Sequence, residues 1–401
     1  MIAVKSILKD ERINAYNALV EISVGEYLKF ARNIVDNNEF QRKKVIKSKI
    51  KEILKEDLLR NCLIPSIVLA VSNENIGTIK DENDVATSDE IIQQAIIDNA
   101  ILIIDGLQRT YVLLNLEDDL KKNEDLVALE KLYNHKIRAE IYLGINRIGL
   151  LYRMITLNTG QTTMSTRHLM EILYLDYARI GVDGIKLVKD KDETIINLTT
   201  EEFNFKTILD GFNSYLEKNE ALIERTEILD NIKSLDVLKT EEINKDLFKD
   251  FLLTYKKLLD TLIDKTNSWN YNPDNADEQA LKLNSNPFGK STLDIFKKSQ
   301  ALTGLGAAIG HLKDSKKINL EKINELIPKI RADNDDWNTA FTHMLKQLDL
   351  VKEKSKKIGN DQRYFFKFFF RGLFNIEADE YLNFNKSSDY AYNRTREDKF
   401  N

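Results

Sequence analysis

Two hydrophobic patterns divide the chain. In "IPSIVLAVS" (64–72) and "AILIID" (100–105) the apolar residues run on without a polar break, which predicts short buried strands. "HKIRAEIYLGI" (135–145) alternates instead, with Ile137, Ala139, Ile141 and Leu143 on one side and Lys136, Arg138, Glu140 and Tyr142 on the other. That is the period of a half-buried strand. Between and around these segments the period is helical. Residues 43–60 place Ile46, Ile50, Ile53, Leu54 and Leu58 on one face, a helix is predicted over about 108–122, and another runs through "NRIGLLYRMITLN". The polar turn "NTGQTTMST" follows, then a helix starting at Ser165 or Thr166, with Met164 and Leu169 at hydrophobic-staple positions. The acidic, polar residues 73–98 read as a surface insertion.

From residue 202 only helical spacing is evident, in "FNFKTILDGFNSYLEKNEALIERTEIL", "KDLFKDFLLTYKKLLDTLIDK", "STLDIFKKSQALTGLGAAIGHL", "LEKINELIPKI" and "WNTAFTHMLKQL". The charged stretch 183–200 reads as a hinge, and the Asn-rich stretch 267–291, with two of the four prolines, as a second break. No fixed-period repeat suggests a solenoid. The pattern therefore predicts an α+β chain, with a mixed α/β domain over 1–182 and an all-α helical domain over 202–401.

Composition adds limits. Of the 401 residues 42% are hydrophobic, enough for a sizeable core. No apolar run reaches the roughly 20 residues that span a bilayer. The first residues, "MIAVKSILKDER", lack the apolar core of a signal peptide. The single cysteine, Cys62, excludes an internal disulfide and a Cys-rich zinc module. A reduced, cytoplasmic setting is expected, with no membrane partner. The net charge of −5 does not advertise a nucleic-acid partner, since phosphate binding depends on clustered Lys and Arg. Local clustering is greatest in "QRKKVIKSKIKEILKEDLLR" (41–60), where Lys43, Lys44 and Lys47 are candidate DNA contacts, partly offset by Glu52, Glu56 and Asp57.

The candidate chemistry lies in "AILIIDGLQRTYVLL", where a strand gives way to a helix. With Asp105 as N-cap, Gln108 falls at N3, a variant of the capping box. The same turn would present unpaired helix N–H groups to an anion, with Gly106 allowing close approach and Arg109 supplying a guanidinium. A cation in the first turn opposes the helix dipole, and a bound anion would offset that penalty.

"IIDGLQRTYVLL" resembles the signature of the DGQHR family, which includes the DndB proteins of DNA phosphorothioation, and the DGQQR domains of GmrSD-type restriction enzymes. Both are regarded as relatives of the ParB/sulfiredoxin fold, whose phosphate loop carries Gly-x-x-Arg, here Gly106-Leu107-Gln108-Arg109. "NNEFQRKK" (37–44), "LIPSIVLAVS" and "MITLNTGQTTMSTRHL" (154–169) resemble further family elements in the expected order, so the likeness covers roughly residues 20–180. It implies a site lined by Asp105, Gln108 and Arg109, with Arg42 as a second phosphate contact and Asn158 on the opposing turn. It implies a nucleotide- or nucleic-acid-phosphate-binding protein of a DNA-modification or phage-defence context. NTP with Mg²⁺ is the implied cofactor if Asp105 is catalytic, in which case the protein is an NTP hydrolase. Whether it is an enzyme at all stays open. A non-catalytic DndB-like DNA-binding regulator is the alternative, and a nuclease a further one. A homo-oligomer or a partner protein of the same system is compatible with either. The departure from both families is Leu107, where Gln is usual, and it favours binding over catalysis.

Other motifs read as structure. "NSNPFGKST" (284–292) lacks the first Gly of a P-loop and a preceding strand, so Ser291 is expected to cap a helix. His135, His168, His311 and His343 have no zinc spacing, and no metal site is expected. In "DQRYFFKFFFRGLFN" (361–375), Phe365, Phe366, Phe369, Phe370 and Leu373 form a core stripe. Phe368 falls off that stripe, toward a second contact surface on the other domain or a second chain.

Overall fold

The computed structural model describes residues 2–36, 48–72, 85–157, 181–189, 199–221, 247–271, 286–316, 318–353 and 357–397, with isolated positions at 170–171, 174, 177–178, 283 and 355. The described residues fall into two compact units that change over between 157 and 170. The first is mixed α/β and the second is helical apart from one small sheet. No described helix is long and apolar enough to cross a membrane.

The first unit is built on one five-stranded sheet. Its strands are β1 (Ala3–Asp10), β2 (Ala15–Ser23), β3 (Ile67–Ser72), β4 (Ile101–Asp105) and β5 (Lys136–Ile145). They lie in the order β1-β2-β5-β3-β4, all neighbours antiparallel except β3 and β5. Consecutive residues Ile67 to Val71 of β3 are all buried, so both faces of the strand are covered, which accounts for its uninterrupted apolar run. Ile137, Ala139, Ile141 and Leu143 of β5 are all buried, as their alternation predicts.

Among the described residues six helices accompany the sheet: α1 (Val24–Asp36), α2 (Ser48–Leu59), α3 (Val85–Ile97), α4 (Leu107–Lys122), α5 (Leu126–Asn134) and α6 (Arg147–Leu157). A shared core joins Tyr27 and Ala31 of α1, Val112 and Leu113 of α4, and the inward residues of the sheet. Glu117 ties three helices together: its carboxylate accepts from Arg32, Lys121 and Tyr133 at 3.1, 2.8 and 2.7 Å. This network ties α4 to α1 and α5.

Two expectations differ from the structure. Residues 73–98 are not all insertion, because α3 occupies 85–97 and buries Ile92 and Ala95. Its polar composition hid a helix whose apolar side is only two turns long. Ile53 of α2 is 53% exposed, whereas Leu58 is buried and Leu54 half-buried, so the apolar face of that helix is narrower than its periodicity suggests. The β1–β2 hairpin and α1 were not anticipated at all.

His135, just ahead of β5, is buried, its Nδ1 against Asn61 Oδ1 and its Nε2 without a partner. Burial pushes its imidazole below the ordinary pKa of 6.5. The unfolded chain therefore takes up a proton that the folded chain resists, and stability falls as pH drops below about 6.5. Denaturant midpoints measured from pH 7.5 downward should show this loss in the wild type and a smaller loss in His135→Gln. Equal slopes for the two proteins would contradict the assignment.

The second unit contains two three-residue strands, β6 (Lys186–Val188) and β7 (Glu202–Asn204), paired in parallel. Strand β6 takes up part of the stretch read as a hinge, of which 190–198 lie outside the described residues, and β7 corrects the expectation of helices alone beyond 202. The helices that follow are α7 (Phe205–Glu217), α8 (Leu247–Lys265), α9 (Thr292–Phe296), α10 (Ser299–Lys316), α11 (Leu320–Leu326), α12 (Trp337–Glu353), α13 (Ile358–Phe374) and α14 (Phe384–Glu397). Helix α10 is the centre of the unit, packed between α7 and α13 and buried over most of its circumference. Phe365, Phe366, Phe369, Phe370 and Leu373 of α13 are all buried. Phe368 is buried too, against Tyr390 of α14 with ring centres 6.2 Å apart. The second surface expected for it is thus met by α14 of the same unit. Ser291 caps α9 by accepting from the Asp294 amide at 3.1 Å, as predicted from the sequence.

Candidate anion site at the start of the fourth helix

Asp105 ends β4 and is paired in register with Val68 of β3. The chain then reverses through Gly106, whose φ of 99° and ψ of 7° lie in the left-handed region that favours glycine. A Cβ at this position would sit 3.2 Å from both Arg109 Nη2 and Ile67 Cγ2. Helix α4 starts at the next residue, and its first recurrent bond runs from the Thr110 amide to the Gly106 carbonyl at 2.9 Å. The amides of Leu107, Gln108 and Arg109 precede that bond, and no side chain caps the helix. A 16-residue helix thus ends in uncapped donors at its positive pole.

The capping-box expectation is corrected by this geometry. Gly106 is the N-cap, Gln108 falls at N2, and Asp105 remains in the strand. The carboxylate of Asp105 turns instead to Arg109 one turn later, where Nη2 donates to its Oδ2 at 2.6 Å. Nη2 also donates to the Ser66 carbonyl at 3.1 Å, just ahead of β3. Arg109 in the first turn is accordingly offset by an acid, and its position does not by itself demand a bound anion. Its Nε is buried without a hydrogen-bond partner, while about a fifth of the side chain stays exposed. One donor atom of the guanidinium is therefore desolvated and unspent.

Beneath the turn, Thr110 is buried and its hydroxyl donates to the Gly106 carbonyl at 3.1 Å. Tyr27 of α1 reaches the same hydroxyl at 2.7 Å, and burial holds its phenol above the ordinary range. Tyr27, Thr110 and the Ser66 carbonyl were missed from the sequence. The available signal was Tyr27 itself, a polar tip on the apolar stripe of Val24, Leu28, Ala31 and Val35.

Leu107 is 4% exposed and belongs to the core cluster of the unit. Its departure from the resembled signature is therefore a matter of packing. Gln108, half-buried, is the polar side chain of the turn beside the pair. Arg42, Asn158, Lys43, Lys44, Lys47 and the helix start at Ser165 lie outside the described residues. The site as described is Asp105, Gly106, Gln108 and Arg109 with the Ser66 carbonyl.

No family model, curated protein or solved structure matches the chain.

Asp105 brings one carboxylate, which Arg109 already engages, and among the described residues no group of three or more His, Cys, Asp or Glu gathers to hold a metal.

Proposed function

We propose that the first unit is a ParB/sulfiredoxin-like domain that binds a phosphate group, carried by a nucleotide or a nucleic-acid backbone, at the Gly106–Arg109 turn. The observation that carries this reading is the uncapped start of α4 beside a guanidinium with an unspent, buried Nε. Helix N–H groups and an arginine fork are the two donor types that suit a phosphate best. Asp105 holds Arg109 against the Ser66 carbonyl before a ligand arrives, so the donor is in place rather than free in solvent. The reading is of binding without turnover, because the single carboxylate is committed to that arginine. The order of motifs along residues 20–180 supports a role in a DNA-modification or phage-defence system, either as a nucleotide sensor or as a DndB-like regulator.

Thermal shift with a nucleotide panel, and anisotropy with labelled DNA, test the proposal in the full chain. Wild-type protein should bind one of the two classes. Arg109→Ala should weaken that binding by roughly tenfold or more, the loss expected for one charge-assisted contact. Asp105→Asn should strengthen it several-fold, because a competing negative charge is removed while an acceptor for Arg109 remains. No response to any nucleotide or DNA at saturation would overturn the proposal. Weaker binding by Asp105→Asn, together with phosphate release by the wild type, would make Asp105 a catalytic residue instead.

A further inference from the structure

Beneath the Gly106–Arg109 turn a chain of hydroxyls runs from one helix to another. Tyr27 of α1 and Thr110 of α4 are both 0% exposed, and their oxygens lie 2.7 Å apart although 83 residues separate them in sequence. The Thr110 hydroxyl has one proton, and it goes to the Gly106 carbonyl at 3.1 Å. Tyr27 is therefore the donor to Thr110. Burial keeps the phenol protonated well beyond neutral pH, so that donor is present throughout the physiological range.

The Gly106 carbonyl thus accepts twice, from the Thr110 amide at 2.9 Å and from the Thr110 hydroxyl. What this fixes is a peptide plane. In a trans peptide the C=O and the N–H of the next residue point in opposite directions. A Gly106 carbonyl held into the helix therefore turns the Leu107 amide outward, to the uncapped end of α4. Rotating that plane by half a turn would reverse both groups and put a carbonyl oxygen where an anion is to bind. Backbone sterics oppose such a flip at most residues, whereas glycine, here at φ 99°, takes up both signs of φ with similar ease. The residue that shapes the turn also leaves it free to turn over. A threonine bonding back to the fourth carbonyl before it is common in helices. The buried phenol that commits the threonine's proton is the added element.

We propose that Tyr27 is a positioning residue for the anion site, a role that rests on the phosphate reading of this turn. It touches no ligand and acts through Thr110 and Gly106, holding the Gly106–Leu107 peptide in the orientation that receives a phosphate. The same bond makes α1 part of the site. A movement of α1 that withdrew the hydroxyl would release the peptide and weaken binding.

The test measures binding of ATP, GTP and a fluorescein-labelled DNA duplex to the 401-residue chain, as wild type, Tyr27→Phe, Thr110→Val, Thr110→Ser and the Tyr27→Phe/Thr110→Val double variant. With affinities referred to folded protein, Tyr27→Phe and Thr110→Val should each weaken the wild-type ligand by about fivefold, the factor for one neutral hydrogen bond. The double variant should lose no more than either alone, since both break one chain. Thr110→Ser keeps the hydroxyl and should bind as the wild type does. A role in folding alone would lower the melting temperature of Tyr27→Phe and leave the affinity of the folded protein unchanged. That result, with wild-type binding intact, overturns the relay and leaves the phosphate reading standing. Losses that multiply in the double variant overturn the relay as well. A wild type that binds none of the three probes overturns both. Should Tyr27→Phe fail to fold, Thr110→Val set against Thr110→Ser decides.

Discussion

Replacing Gly306 by alanine is expected to cost the helical unit about 3 kcal/mol or more, although alanine is the better helix former. Gly306 lies at the contact of α10 with α7, where an added Cβ would stand 2.1 Å from the Gly211 carbonyl and 2.9 Å from the Tyr215 amide. Backbone cannot move aside as a flexible side chain can. The helices would have to part by about an ångström, and a close-packed interface loses dispersion contacts along its whole length when that happens. The buried residues at stake include Phe212, Tyr215, Leu305 and Ile309. Gly310, next along α10, meets the Tyr215 carbonyl at 2.3 Å in the same sense, so the approach is continuous and not a single pinch point. Gly359 provides the control. In the first turn of α13, with nothing within 4 Å of its would-be Cβ, it should gain up to about 1 kcal/mol on conversion to alanine. Urea denaturation of the two variants beside the wild type should shift the midpoint in opposite directions. A Gly306→Ala midpoint equal to wild type would contradict the helix contact described.

Leu107→Gln is expected to be the second most damaging change, at about 3 kcal/mol, and to bring no gain in phosphate binding. The resembled signature has glutamine here, so the substitution moves the sequence toward the family pattern. Its structural setting says otherwise. Leu107 is 4% exposed within the core shared by α1, α4 and the sheet. Glutamine would keep the volume, give up the transfer energy of a buried leucine, and bury an amide with no arranged partner. Chemical denaturation and ligand titration of the variant give separate readings of stability and binding. A tolerated substitution with improved phosphate affinity would mean that this position faces the ligand.

How much of this was legible in the sequence depends on where each element buries its surface. Strands β3, β4 and β5 could be read because covered neighbours demand continuous or alternating apolar residues, and they have them. Strand β1 could not, because it lies at the sheet edge and buries only Ile7 fully along its length. The helices of the second unit were readable from their stripes, whereas β6 and β7, three residues each, are too short to show a period. At the candidate site, the residue set was visible but its wiring was not. Capping is decided by the φ of Gly106, which no residue pattern encodes, and the reach of Arg109 to the Ser66 carbonyl spans 43 residues. The pairing of Asp105 with Arg109 was available from their i, i+4 spacing and was passed over in favour of a cap.

The central claim is that a phosphate meets the amides at the start of α4. It is tested most directly by backbone amide NMR of the deuterated 401-residue chain during titration with the nucleotide or oligonucleotide that stabilises it. The account predicts that the largest shifts fall on Gly106, Leu107, Gln108, Arg109 and Thr110, and that they disappear in Arg109→Ala. Shifts that centre on other residues, or that persist unchanged in Arg109→Ala, would contradict it.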